Sequence, residues 1–138
     1  MAKKYQIFFI SHNKLAEGVL AAVQMIAGEQ ANVAAYGLMP GQNPEDKVDE
    51  IKARLDEDSH TLILADLFGG SMANAAVRLA AKPNVRLITG LNLALALQAV
   101  LEKPWTDDEI NKLIGRAREN VREVTIEPVT GNAEEDFF

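Results

Sequence analysis

Four short runs of β-branched, aromatic and aliphatic residues alternate along the chain with stretches whose apolar positions recur every three or four residues. The apolar runs are typical of buried strands, and the amphipathic stretches are typical of helices that pack on a sheet. The predicted strands are Tyr5–Ser11, Val33–Leu38, Thr61–Ala65 and Val85–Thr89. Strands that alternate with helices predict an α/β domain with a mainly parallel four-stranded sheet and helices on both faces.

Capping signals indicate where the helices begin and end. Gly28 is suited to end the first helix, and Asn43 followed by Pro44 is a typical start for the second. Ser71 is predicted to cap a third helix, which Pro83 ends. The apolar faces predicted for the first, second and last helices are Leu15, Val19, Ala22, Val23 and Ile26; Val48, Ile51 and Leu55; and Ile110, Leu113, Ile114, Ala117 and Val121.

The last third of the chain adds two helices and a short strand. Leucine-rich Leu91–Leu101 has almost no polar face and predicts a buried helix, and Thr106–Glu109 forms a capping box for the next one. The alternating segment Glu123–Glu127 predicts an antiparallel edge strand. We expect a single domain over residues 1–128, followed by a mobile acidic tail over residues 129–138.

Two polar residues directly follow apolar strands, His12 after the first and Asp66 after the third. In an open, doubly wound sheet of order 2-1-3-4 these strands are neighbours, and the strand order reverses between them. The two side chains would then face each other across the functional crevice. A carboxylate that holds one imidazole nitrogen fixes the tautomer and leaves the other nitrogen free to attack phosphorus.

A glycine-rich turn follows Asp66 and supplies a candidate phosphate cradle. Gly69 and Gly70 allow a tight turn that brings amide groups near an anion, and Ser71 adds a hydroxyl at the start of a helix. The turn lacks a lysine and has no Gly-Lys-Ser/Thr run, which excludes a nucleotide P-loop.

Less specific interpretations remain open on these residues alone. His12 could donate a structural hydrogen bond, and Asp66 could cap a turn, in a binding or signalling module that performs no covalent chemistry. A hydrolase with Ser71 as nucleophile would lack the strained Gly-x-Ser-x-Gly elbow. His60 precedes the third strand, so we expect a solvated loop residue at the opposite edge. Two histidines at opposite edges predict no metal site.

Composition limits the classes of function. The chain has 138 residues, no cysteine and a net charge of −6. An acidic chain lacks the cationic surface that general nucleic-acid binding requires, and the absence of cysteine removes thiolate chemistry. The apolar run near the start is too short for a signal peptide or a membrane span, so we expect a cytoplasmic protein.

The chain from about Ile7 to Val121 resembles the IIA component of the mannose/fructose/sorbose family of the bacterial phosphotransferase system. The most specific matching motif is the run Leu64–Ser71, and Asn74-Ala75-Ala76 in the third helix also matches. The other matching motifs are Ile10-Ser11-His12, Gly28-Glu29-Gln30 and Ile88–Leu93. A second, weaker resemblance links the run from Ser11 to Gly18 to the phosphocarrier subunit of dihydroxyacetone kinase.

The resemblance implies a role for several of these residues. His12 would accept phosphate from the phosphocarrier HPr and donate it to a histidine on a IIB domain. Asp66 would hold the His12 ring, and Ser71 would lie against the phosphoryl oxygens. Phosphate would then reach a sugar that the membrane subunits select, without a cofactor in this chain.

The resemblance also implies assembly and docking. The family is dimeric, and its last strand, here Val124–Glu127, pairs with the partner subunit's sheet. Candidate docking residues are Asn13, Met39 and Phe68. Asn13 stands where the family often has glycine. Asparagine tolerates unusual backbone angles, so the turn is expected to survive while docking changes.

Overall fold

The computed structural model describes residues 4–126. It contains four strands and five α-helices. The strands are β1 (Lys4–His12), β2 (Val33–Leu38), β3 (Ser59–Ala65) and β4 (Val85–Thr89). The α-helices are α1 (Leu15–Ala27), α2 (Pro44–Arg54), α3 (Ser71–Ala76), α4 (Leu93–Glu102) and α5 (Asp107–Glu119), and a short 3-10 helix over Val77–Ala81 follows α3.

The strand order confirms the predicted 2-1-3-4 sheet. Strands β2, β1, β3 and β4 are neighbours in that order, and every pair is parallel. Strand β1 therefore lies in the middle, and the order reverses between β1 and β3. Ile10 of β1 is in register with Ala65 of β3, and His12 of β1 is in register with Leu38 of β2. The ends of β1 and β3 thus meet at one edge.

Alternating side chains of the central strands enter two separate hydrophobic cores. Ile7 and Phe9 pack with helices α1, α4 and α5 on one face, whereas Phe8 and Ile10 pack with α2 and α3 on the other. All four side chains are buried. Since successive residues of a strand point to opposite faces, a continuous apolar run is what a sheet covered on both sides requires.

Several predicted helix features are confirmed by hydrogen bonds. Asn43 Oδ1 accepts from Glu45 N at 3.0 Å, with Pro44 as the first residue of α2. Thr106 and Glu109 form the capping box, in which Glu109 N donates to Thr106 Oγ1 at 3.2 Å and Thr106 N donates to Glu109 Oε1 at 3.0 Å. Gly28, with φ of 82°, ends α1. Local sequence therefore sets these boundaries.

Ser71 is not the cap that the sequence predicted. Gly70 occupies the N-cap position of α3, and Ser71 is the first helical residue and makes no capping hydrogen bond. The predicted single helix is also wrong, because α3 has six residues and the chain then tightens into the 3-10 helix. Short 3-10 segments are common at helix ends. The Ser71 hydroxyl is consequently available to another partner.

The apolar stripes of three helices, α1, α2 and α5, differ from their predicted composition. In α1 the buried residues are Ala16, Val19 and Val23, while Leu15 and Ile26 are exposed. The stripe is narrower than the run of apolar residues because only one face of α1 contacts the sheet. Three further positions predicted to be apolar contacts are not fully buried. Leu55 follows α2 and is half-buried, and Ile114 of α5 is also half-buried. Val121 is exposed and lies beyond the end of α5.

The segment after α5 forms no strand within the described chain. Residues 122–126 carry neither helix nor strand, and Val124 and Ile126 are 88% and 91% exposed. Glu127, the end of the predicted strand, and the predicted acidic tail lie outside the described residues. Pairing of Val124–Glu127 with a second subunit therefore stays a prediction.

Among residues 4–126, no helix combines the length and the apolar character that crossing a bilayer would need.

Candidate functional site

His12 and Asp66 meet at the point where the strand order reverses. His12 is the last residue of β1, and its side chain is 49% exposed, whereas that of Asp66 is only 8% exposed. Asp66 Oδ2 accepts two hydrogen bonds from the same residue, one from the His12 main-chain nitrogen at 2.9 Å and one from His12 Nδ1 at 2.8 Å. The carboxylate thereby fixes both the position and the orientation of the ring.

This contact determines which ring nitrogen is available. A carboxylate only accepts hydrogen bonds, so Nδ1 is the nitrogen that carries the proton opposite Asp66. The lone pair then resides on His12 Nε2. Asp66 Oδ1 is buried and has no hydrogen-bond partner among the described residues. Both hydrogen bonds that the Asp66 carboxylate accepts within residues 4–126 therefore come from His12.

The turn after Asp66 touches the ring on its other sides. Ser71 Oγ lies 3.3 Å from His12 Nε2. Gly70 N donates to Leu67 O at 3.0 Å, and Gly69 has φ of 78°, which is typical of a type II turn. A Cβ at Gly70 would lie 3.2 Å from His12 Cε1, so only glycine lets the main chain pass this close to the ring without displacement. The structure thus brings His12, Asp66 and the Gly69–Ser71 turn together.

Asn13 adopts the left-handed conformation that its position requires. Its φ is 50°, its main-chain nitrogen donates to Leu38 O at 2.7 Å, and its Oδ1 accepts from Lys14 N at 2.9 Å. Asparagine is one of the few residue types besides glycine that occupy this region readily. The turn after His12 therefore survives the replacement of the usual glycine.

Two residues that support this turn were missed in the sequence. Ser11 is fully buried, and its Oγ accepts a hydrogen bond from Ala16 N at 2.7 Å, in the first turn of α1. Gly37 of β2 lies beside the turn, and a Cβ there would lie 2.0 Å from Asn13 O. The Gly37 contact joins residues 24 positions apart, whereas the Ser11 contact spans only five, so the serine directly before His12 was the one signal available in the sequence.

We expect Gly37→Ala to destabilise the protein by about 3 kcal/mol, because the nearest atoms are main-chain atoms that cannot rotate away. Unfolding in urea, followed by circular dichroism, measures the change. Gly18→Ala is the matched control, since a Cβ at this position of α1 meets nothing within 4 Å. Alanine there should stabilise the helix by about 0.5–1 kcal/mol. Equal stability of Gly37→Ala and the unaltered protein would contradict the close approach.

The three candidate docking residues lie at the same edge as His12. Asn13 follows β1, Met39 follows β2, and Phe68 lies in the turn after β3. Phe68 is 86% exposed, Asn13 is exposed, and Met39 is half-buried. Leu15 and Leu67 are also exposed nearby in sequence. The surroundings of His12 are therefore rich in exposed apolar side chains.

His60 is not the solvated loop residue that the sequence predicted. It belongs to β3 and stacks on Trp105, with ring centroids 4.1 Å apart and planes 8° from parallel. The ring of Tyr5 is nearly perpendicular to both rings, and its centroid lies 6.5 Å from the centroid of each. Burial raises the pKa of the Tyr5 phenol well above its usual range. His60 does lie at the edge opposite His12, in register with Tyr5 near the start of β1.

Metal-ligating side chains do not cluster in residues 4–126, where no group of three or more histidine, cysteine, aspartate or glutamate residues could hold an ion. The groups that the site brings together are the His12 imidazole, the Asp66 carboxylate and the Ser71 hydroxyl.

Comparison with known proteins identifies relatives over most of the chain. The family EIIA-man, described as the PTS system fructose IIA component, matches residues 6–118. The mannose-specific EIIAB component from Escherichia coli (strain K12) is 30% identical over 126 residues, which cover 86% of this chain and 39% of that protein. The chain thus spans well under half the length of this relative.

Relatives that are closer to this chain in length are matched over a larger share of their own sequence. The sorbose-specific EIIA component from Klebsiella pneumoniae is 39% identical over 95 residues, or 67% of this chain and 70% of that protein. The mannose/sorbose specific IIA subunit from Enterococcus faecalis has the same fold, with a TM-score of 0.80 and 31% identity over 92% of this chain and 99% of that one. The resemblance seen in the sequence is confirmed, and the chain belongs to the EIIA-man family of phosphotransferase-system IIA components.

Proposed function

We propose that this protein is a phosphocarrier that accepts a phosphoryl group from HPr on His12 and passes it to a histidine of a IIB domain. This transfer is one step of phosphoenolpyruvate-dependent sugar uptake. The observation that carries the proposal is the 2.8 Å contact between His12 Nδ1 and Asp66, which leaves the nucleophilic lone pair on Nε2 of a half-exposed side chain. Membership of the EIIA-man family supports the same role.

The chemistry needs no general base. The lone pair of His12 Nε2 attacks the phosphorus of the donor's phosphohistidine, the N–P bond of the donor breaks, and its electron pair returns to the donor imidazole. The proton on His12 Nδ1 stays in place, and the positive charge that develops on the ring lies beside the Asp66 carboxylate. Transfer to the IIB histidine repeats the same exchange with His12 as the leaving group.

The turn from Gly69 to Ser71 is proposed to receive the phosphoryl oxygens. Ser71 Oγ lies 3.3 Å from Nε2, close enough for its hydroxyl to turn and donate to an oxygen of a phosphoryl group on that nitrogen. Gly69 and Gly70 allow the main chain to lie close enough to do the same.

Both partners would be proteins that dock around His12. The exposed side chain of Phe68 and the neighbouring Asn13 and Met39 are the candidate contacts, and an acidic chain of net charge −6 suits a basic partner surface. The membrane sugar transporter would be engaged only indirectly, through IIB. Such a carrier works in the cytoplasm, where HPr and IIB meet it, and needs neither nucleic acid nor a cofactor.

The proposal is tested by incubating the protein with enzyme I, HPr and phosphoenolpyruvate, followed by mass measurement at neutral pH. We expect a gain of one phosphoryl group that disappears after brief acid treatment, because phosphohistidine is acid-labile. Addition of a IIB domain should then discharge the label. A chain that gains no mass would instead be the non-covalent binding or signalling module.

The same experiment distinguishes this role from that of the phosphocarrier subunit of a dihydroxyacetone kinase. Such a subunit would also gain the phosphoryl group from HPr, but would not discharge it to IIB. The relatives described above are named for mannose and sorbose systems, which favours the role in sugar uptake.

We also propose that the protein is a homodimer in which Val124–Glu127 adds to the partner's sheet. Strand β4 is at the edge of the sheet, and a cavity of about 710 Å³ lies between this strand and α5. Apolar side chains of Ile110 and Ile114 line it. Exposed, alternating Val124 and Ile126 are suited to pair with such an edge.

Truncation after Arg122 should convert the dimer to monomers or aggregates, because it removes the exchanged strand and leaves the cavity beside β4 uncovered. Sedimentation velocity at micromolar concentration measures the change. Truncation after Pro128 is the matched control, which removes only the predicted tail and should leave the dimer intact. A stable monomer from the intact chain would contradict the exchange.

A further inference from the structure

We propose that Asn74 is a positioning residue for phosphoryl transfer by His12, because its side chain holds the peptide group that packs against the imidazole. The inference rests on the proposed function. Asn74 is an exposed residue of α3, and its side-chain amide donates to Gly69 O rather than to His12. Its effect on the ring is therefore transmitted through the turn between Asp66 and α3.

The imidazole of His12 is held on three sides by this turn and the residues around it. Asp66 fixes Nδ1, Ser71 faces Nε2, and Gly70 closes the side of Cε1. Of these three, Gly70 acts only through the position of its main chain, since it has no side chain. Whatever fixes the main chain at Gly70 also limits how far the ring can tilt.

The peptide group between Gly69 and Gly70 is fixed at both ends. Its N–H, from Gly70, donates to Leu67 O at 3.0 Å, and its carbonyl, from Gly69, accepts from Asn74 Nδ2 at 3.1 Å. A trans peptide is planar and its N–H and C=O point in opposite directions, so two bonds at opposite ends determine the orientation of the plane. Glycine on both sides would otherwise leave this plane unusually free to rotate.

Only the side chain of Asn74 provides the second bond. The main chain at this position donates to Gly70 O at 2.9 Å, a helical bond that any residue except proline would make. A substitution at Asn74 therefore removes the contact with Gly69 and keeps the helix. Because α3 has only six residues, the turn has little other support from the helix.

Loss of this bond should slow the chemistry more than it weakens the fold. Once released, the Gly69 carbonyl can rotate toward the phosphoryl group, where its oxygen would face negative charge, and Gly70 would shift against the ring. Small displacements of reacting groups lower transfer rates strongly. The hydrogen bond itself is exposed, so its removal should change the melting temperature little.

The test uses rapid-quench, single-turnover transfer from phosphorylated HPr to the full-length protein over a range of HPr concentrations. We expect Asn74→Ala to lower the limiting rate about tenfold while the half-saturating concentration of HPr changes less than about twofold. Asn74→Asp should be at least as slow, because its carboxylate cannot donate to the Gly69 carbonyl and would repel it.

Asn84→Ala is the matched control. Its side-chain amide also holds loop carbonyls, those of Asp56 and Ser59, but at the opposite edge of the sheet. We expect it to lower the melting temperature and to leave the limiting rate unchanged. A limiting rate for Asn74→Ala within about twofold of the unaltered protein, or an equal fall in Asn84→Ala, would overturn the inference alone. Failure of the unaltered protein to accept phosphate would overturn the proposed function as well.

Discussion

His12→Ala should abolish acceptance of the phosphoryl group, whereas His60→Ala should accept it at the rate of the unaltered protein. The chain has only these two histidines, and they lie at opposite edges of the sheet. His12 Nε2 lies at the edge where strand order reverses, 3.3 Å from Ser71 Oγ, and His60 is stacked on Trp105. Removal of the nucleophile eliminates the covalent step, and no neighbouring group can replace it.

The measurement is neutral-pH mass spectrometry after incubation with enzyme I, HPr and phosphoenolpyruvate, combined with peptide mapping. His60→Ala controls for the loss of an imidazole as such. It should lower stability, because it removes the ring that stacks on Trp105. Labelling that persists in His12→Ala and disappears in His60→Ala would overturn the assignment of the site.

Asp66→Asn should slow phosphoryl transfer by about 10²- to 10⁴-fold without unfolding the protein. The substituted amide has two ways to sit against His12, and both are unfavourable. With its oxygen toward the ring, it keeps the tautomer but loses the negative charge that stabilises the developing imidazolium. With its nitrogen toward the ring, it donates to Nδ1, and the proton moves to Nε2, where the nucleophilic lone pair is needed.

Two structural features sharpen this expectation. Asp66 Oδ2 accepts from both the main chain and the ring of His12, so an inverted amide would place its nitrogen against a main-chain N–H. In the first orientation the amide nitrogen takes the place of buried Oδ1, which has no hydrogen-bond partner among the described residues, so it gains no acceptor but opposes no donor. The first orientation is therefore the less unfavourable of the two, and the rate loss reports mainly the missing charge.

Asp56→Asn provides the control for the loss of a carboxylate. Asp56 accepts from Asp58 N at 2.9 Å and from Ser59 Oγ at 3.2 Å in the loop before β3, at the edge opposite His12. The hydrogen bond from the Asp58 main chain lowers the pKa of Asp56. Its substitution should affect stability only. If Asp66→Asn transferred the phosphoryl group in a single turnover at the rate of the unaltered protein, the catalytic role of Asp66 would be wrong and Asp66 would serve only the turn.

The meeting of His12 with Asp66 could be predicted from sequence because it depends on simple geometry. Each residue follows an apolar run, and the carboxyl ends of parallel strands lie at one edge of a sheet. The strand order had to be assumed, and the structure confirms it. The capping box at Thr106 and the helix cap at Asn43 were predictable for a similar reason, since their hydrogen bonds join residues two or three positions apart.

Errors in the sequence-based predictions arose where contacts join distant parts of the chain. Ser71 has the residue type of a helix cap, but its hydroxyl faces His12, which lies 59 positions earlier. His60 precedes the most apolar part of β3, and no local pattern indicates that Trp105 stacks on it. Gly37 lies inside the predicted strand Val33–Leu38, and only the tertiary structure brings the turn at Asn13 against it.

Sequence alone therefore determined the four strands, most of the helices, their parallel arrangement and the edge at which the candidate site lies, because hydrophobic periodicity and capping are local properties. Tertiary structure decided which atoms touch: the bond from His12 Nδ1 to Asp66, the hydroxyl of Ser71 at Nε2, and the bond from Asn74 to Gly69. Side-chain direction and hydrogen-bond partners depend on how separate elements pack within a few ångströms, and no local pattern encodes that distance.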